Sequence, residues 1–260
     1  MIELKTGYTF SGIPYITYEA LDEFGELLVA DFSPELAKYP GIINAEAFLE
    51  YYLGLSTQYL RICFDRKVLG VTAFSDGVLD IVGETTGLPE SVPVETGTVI
   101  LDTSLTVKRN KPRLRFTTLH EGSHWILHRQ AFSKDNPFGP AGIYQNQFLA
   151  AKEGRVDYSR SQKEKTDIQR MERQADFLSS AILMPKSALR EAYKEFFQIY
   201  GEKPRKRIIR GCGDPMDDCY AELLPEYVAG LFGVSKRAAL IRLEKLTAIV
   251  DARTWRGAWR

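Results

Sequence analysis

A chain of 260 residues that is 44% hydrophobic and 26% charged can bury a sizeable core, and this excludes a disordered tail. No apolar stretch approaches the roughly 18 residues of a membrane span. The opening MIELKTGYTFSGIP also lacks the apolar centre of a secretory signal, so the expectation is a cytoplasmic chain with no membrane partner. Three cysteines (Cys63, Cys212, Cys219) form no CxxC pair, which excludes a disulfide framework and suits a reducing compartment. Lys/Arg and Asp/Glu balance at 34 each, but residues 1–100 carry 5 basic against 15 acidic side chains, and residues 101–200 carry 17 against 11. The asymmetry fits a polar partner surface, mutual docking of the segments or, equally well, ordinary solvated faces.

In chain order, the first fifty residues read as helical, with the acidic turns EALDEFGELL, a break at Pro40-Gly41 and Asn44 as the cap of a helix through AEAFLEYYLGL. Tyr59–Phe64 is rich in β-formers. Val68–Val82 reads as a hairpin around Ser75-Asp76-Gly77, and Val99–Leu101 as a short strand. Helices are expected over about 113–129, 165–183 and 186–200, the second stopping at Met184-Pro185. Between the first two lies a polar stretch, about 133–161, long enough to be a functional flap or partly disordered. The expected division is an N-terminal helical extension (1–44), a main α+β domain (45–200) and a small helical end piece (201–260).

All three histidines fall within nine residues, His120-Glu121-Gly122-Ser123-His124-Trp125-Ile126-Leu127-His128, which contain H-E-x-x-H. On a helix each residue turns about 100°, so His120 and His124 differ by only about 40° and can reach one cation together. Glu121 lies about 60° from His124, beside the cation. Two neutral imidazoles suit zinc, and an open coordination position can lower the pKa of a water whose proton Glu121 then takes. Phe116, Leu119, Ser123 and Ile126 are expected to form a buried stripe on the face away from Glu121. His128 is another step along the same helix, almost 6 Å further up. That would strain a tetrahedral site, so it reads as a supporting residue. The longer H-E-x-x-H-x-x-G-x-x-H pattern is excluded by Leu127 and Gln130. Downstream, Glu172-Arg173-Gln174-Ala175-Asp176 puts two carboxylates one turn apart. Glu172 is the candidate third ligand, and Asp176 the acceptor for the far nitrogen of a liganding imidazole.

The run Arg115–His128 together with ERQADFLSSAILMP (172–185) resembles the ImmA/IrrE family of metallopeptidases, over roughly residues 45–190. Gly122-Ser123 departs from the family, which more often has an apolar residue and then glycine there. The resemblance implies a zincin-like fold with a small mixed sheet and a site-specific endopeptidase. Zinc would be held by His120, His124 and Glu172, with Glu121 as base. It also implies a protein substrate of the DNA-binding repressor type. An exposed edge strand near Val99–Leu101 is the expected seat for the substrate, and Tyr144 in the flap is one guess at an oxyanion partner.

Lys108, Arg109, Lys111, Arg113 and Arg115 read either as contacts to a substrate or nucleic acid or, the favoured reading, as a solvated rim that pairs with the acidic first hundred residues. Near the end, Ala229-Gly230-Leu231-Phe232-Gly233-Val234-Ser235 has helix-turn-helix spacing, with Gly233 at the turn and Ser235 as cap. Lys236, Arg237 and Arg242 would then contact DNA or substrate. Packing of the same two helices on the body explains the pattern equally well. Cys212 and Cys219 read as free thiols. The rival readings are a DNA-binding regulator with a structural or inactive metal site, and an inactive peptidase-like scaffold.

Overall fold

The computed structural model describes residues 2–132, 148–152 and 166–255. α1 (Tyr18–Phe32) is capped by Thr17, whose hydroxyl accepts from Ala20 N, and it buries Leu21, Phe24, Gly25, Leu28 and Val29 along one face. α2 (Pro34–Lys38) follows. α3 (Ala45–Ala47) is capped by Asn44, as expected, and runs on into a π-helical turn over Phe48–Leu53.

The main sheet has the order β1-β5-β2-β6, with β1 (Ser56–Leu60), β2 (Val68–Ala73), β5 (Thr98–Asp102) and β6 (Phe148–Lys152). β1 and β5 run parallel and the other neighbours antiparallel, so the sheet is mixed. Three expectations fail here. The first strand ends at Leu60 because its partner ends at Asp102, whose carboxylate instead accepts from Ile62 N. Val68–Val82 is not a hairpin. β2 is taken on both sides by β5 and β6, while β3 (Gly77–Val82) pairs with β4 (Pro89–Val94). Asp76 fixes that choice by accepting from Thr96 N and Oγ1, both at 2.8 Å, which ties the turn to the end of β4. β5 is buried throughout and flanked on both sides, so Val99–Leu101 is no edge; among the described residues the edges of this sheet are β1 and β6.

α4 (Lys111–His128) packs against β2, β5 and α5 (Asp167–Leu183). α5 also packs on α1, with Tyr18 and Phe177 stacked at 4.8 Å. α6 (Lys186–Ile199), α7 (Pro215–Phe232) and α8 (Lys236–Lys245) follow, with a small parallel pair of β7 (Ile208–Arg210) and β8 (Ile249–Asp251). One apolar cluster runs from Leu21 and Phe48 through Leu119 and Leu178 to Phe196 and Leu243. Each such side chain contributes about 1.5–3 kcal/mol on burial. Gly233, at φ 64, ends α7 in the left-handed conformation, and Ser235 caps α8 by accepting from Ala238 N. The turn is pinned to the body because Arg115 donates to Gly233 O at 2.8 Å. No helix among the described residues is long and apolar enough to cross a membrane.

Candidate metal centre

α4 is buried on every side from Thr117 to His124 rather than along one stripe. Leu119 and Ser123 are fully enclosed as expected, but Phe116 and Ile126 are only half-buried. The opposite face, with both histidines and Glu121, is covered by β2 and α5. Polar side chains occupy that covered face, and such groups are costly to bury unless they satisfy one another or hold an ion.

Three acceptors converge. His120 Nε2 and His124 Nε2 lie 3.0 Å apart. Glu172 Oε2 is 3.4 Å from the first, and Glu172 Oε1 is 3.6 Å from the second. Donors bound tetrahedrally at about 2.05 Å from zinc stand about 3.3 Å apart, so the spacing fits a metal ion without rearrangement. His120, His124 and Glu172 are also the group of metal-ligating side chains that the described residues bring together. Asp176 Oδ1 lies 2.9 Å from His120 Nδ1, which places the proton of that ring away from the cluster. Burial works against charge on His120, but Asp176 and Glu172 outweigh it and hold the imidazole well above its usual range. Metal and proton therefore compete for the same position.

Glu121 sits under β2. Its Oε2 accepts from Thr72 Oγ1 at 2.7 Å, and its Oε1 is buried with no hydrogen-bond partner among the described residues. Burial is the main force that pushes the Glu121 carboxyl up to about 7, against His120 and Thr72 and with help from Glu172. The carboxylate fits only because residue 70 is glycine: a Cβ there would lie 2.5 Å from Glu121 Oε1. Neither Thr72 nor Gly70 is singled out by the motif. Their signal is the alternation of β2, which points both at the helix.

His128 lies outside the ligand group. Its Nδ1 is 3.0 Å from His124 Nδ1, and its Nε2 is 3.0 Å from Gln174 Oε1. Burial, with the His120 charge, lowers its pKa to about 4 against the opposing Gln174 bond, so the ring is neutral. Gln174, missed in the sequence because a buried amide has no motif, donates to Pro14 O at 2.9 Å.

The proposed DNA contacts divide. Arg242 is 1% exposed, pairs with Asp22 at 2.5 Å and donates from Nε and Nη2 to Met184 O. It is an internal clamp, which corrects the expectation that it meets phosphate. Lys236 reaches Glu226 and Glu222 of α7 at 3.4 and 3.7 Å, and Arg237 is exposed. Cys63, Cys212 and Cys219 are free. Tyr144 lies outside the described residues, as does most of the 133–161 stretch.

Two imidazoles and a carboxylate from a second helix form a group that could hold a metal ion, with a buried glutamate on the same helix as the imidazoles. A family model described as Peptidase_M78, IrrE N-terminal-like domain, matches residues 84–244, and the chain belongs to that family. A search of curated proteins finds no match.

Proposed function

We propose that the chain is a zinc-dependent endopeptidase of the cytoplasm, zincin-like in arrangement, that cleaves a protein substrate, a helix-turn-helix transcriptional repressor. The observation that carries the enzyme reading is the convergence of His120 Nε2, His124 Nε2 and Glu172, with the buried carboxyl of Glu121 next to His120 on the same helix. The repressor substrate is supported by the sequence resemblance alone. His120, His124 and Glu172 would hold the ion. Zinc, when bound, supplies Lewis acidity that polarises the scissile carbonyl and acidifies the attacking water.

The chain's own residues do the rest. Asp176 keeps the His120 proton on Nδ1, so Nε2 presents its lone pair. Thr72 Oγ1 holds Glu121 Oε2, which leaves Oε1 to take the proton from the attacking water and pass it to the leaving amine. The closed packing of α4, β2 and α5 keeps that carboxylate dry and poised. In the test, a small helix-turn-helix repressor from the same genomic neighbourhood is co-expressed with the wild-type chain or with Glu121→Gln, and products are read by mass spectrometry. Cleavage at one site by the wild type and none by Glu121→Gln is expected, with zinc retained in both. Equal cleavage by the two would remove Glu121 from the mechanism.

The second reading, a DNA-binding regulator, draws on the α7–turn–α8 arrangement and on exposed Arg237. Burial of Arg242 and pairing of Lys236 weigh against it.

A further inference from the structure

Gln174 stands between the histidine cluster and a loop at the start of the chain. That loop closes on itself, with Tyr15 N donating to Gly7 O at 2.8 Å and Thr9 N donating to Ile13 O at 2.8 Å. It is anchored to the first turn of α5 by Ser11 Oγ, which donates to Asp167 Oδ2 at 2.6 Å, and Ile13 is fully buried. Pro14 O is therefore a fixed group, and a carbonyl can only accept. The Gln174 amide must turn its NH2 toward Pro14, because the flipped amide would set two acceptors against each other. Oε1 then faces His128 Nε2 at 3.0 Å, so Nε2 carries the His128 proton and Nδ1 is bare. His128 Nδ1 accepts from His124 Nδ1 at 3.0 Å, so the His124 proton is on Nδ1 and the lone pair is on Nε2, facing His120 and Glu172.

We propose that Gln174, held by the Pro14 carbonyl, is a positioning residue that fixes the tautomers of His128 and, through it, His124, so that the 7–15 loop is a working part of the metal centre. The inference rests on the metallopeptidase reading for its purpose, but its geometry is independent of it. Pro14 lies outside the 84–244 family match, so the relay starts in a segment that the family model does not cover. It also gives His128 its role: the ring passes on a proton assignment and leaves the third ligand position to Glu172.

The test uses the full chain labelled with 15N, whose histidine spectrum holds only three rings. Long-range 1H–15N correlations on the zinc-loaded protein are expected to show His128 protonated at Nε2 alone and His124 at Nδ1 alone. A His128 proton on Nδ1 overturns the proposal without any variant being made. In folded Gln174→Met, His128 is expected to populate both tautomers, and zinc affinity by chelator competition is expected to fall about 10- to 100-fold. Unchanged tautomers or unchanged affinity in that variant also overturn it. A wild-type chain that takes up no zinc sinks the metallopeptidase reading instead. The His128 proton on Nε2 is then still expected in the metal-free spectrum, so the two failures are told apart.

Discussion

Removing the proposed base is expected to stabilise the metal-free protein, by an amount that grows with pH. Glu121 is fully buried, and its carboxyl is pushed from 4.5 up to about 7, chiefly by burial. As pH rises from about 4.5, the unfolded chain releases this proton first while the folded chain keeps it, so folding stability falls until the folded carboxyl also ionises near 7. A pKa separation of that size corresponds to about 3 kcal/mol, at about 1.4 kcal/mol per tenfold. Glu121→Gln is nearly isosteric with the protonated acid and does not titrate. Urea melts of chelator-stripped wild type and variant should agree near pH 4.5 and separate by about 3 kcal/mol in favour of the variant by pH 8. The three histidines titrate in both proteins, so only the part of their titration that is coupled to Glu121, that of His120, enters the difference. Added zinc should narrow the gap, because a nearby cation favours the carboxylate. Curves that stay parallel from pH 4.5 to 8 would show that Glu121 is ionised or exposed in the folded chain, and the placement of the base would be wrong.

Gly70→Ala puts a Cβ 2.5 Å from Glu121 Oε1 and 2.8 Å from its Cγ, while Thr72 holds the other oxygen. The carboxylate must move by about 1 Å, which should cost on the order of 100-fold in turnover with zinc content unchanged, as read by substrate cleavage and elemental analysis. Asp176→Asn keeps the volume but loses the charge beside His120 Nδ1. Zinc affinity by chelator competition should fall about 10- to 100-fold. Arg242→Ala strands Asp22 and Met184 O in the interior and should destabilise the fold by about 3–5 kcal/mol in urea melts, whereas exposed Arg237→Ala should change stability by less than about 0.5 kcal/mol. Equal effects of the two would mean that α8 is not docked as described.

The centre was legible in the sequence where local periodicity writes it. H-E-x-x-H on one helix and the carboxylates at 172 and 176 on another give a group that could hold a metal and the partner of His120, because spacing along a helix fixes direction. The caps at Asn44 and Ser235 and the turn at Gly233 were readable for the same reason. What failed depended on partners far away in the chain. Val68–Val82 has the pattern of a hairpin, yet β2 pairs with β5 and β6, and nothing local says so. Arg242 looks like any helical cation until Asp22 and the Met184 carbonyl close around it. Gln174 and Pro14 act through two hydrogen bonds that no spacing encodes.

The central claim is that one ion is gripped by His120, His124 and Glu172. Elemental analysis of the purified wild-type chain beside His124→Ala and Glu172→Ala tests it most directly. One zinc per wild-type chain, with most of it gone from each variant after the same dialysis, is the outcome expected. Wild-type protein free of metal, or zinc retained in full by both variants, would contradict it.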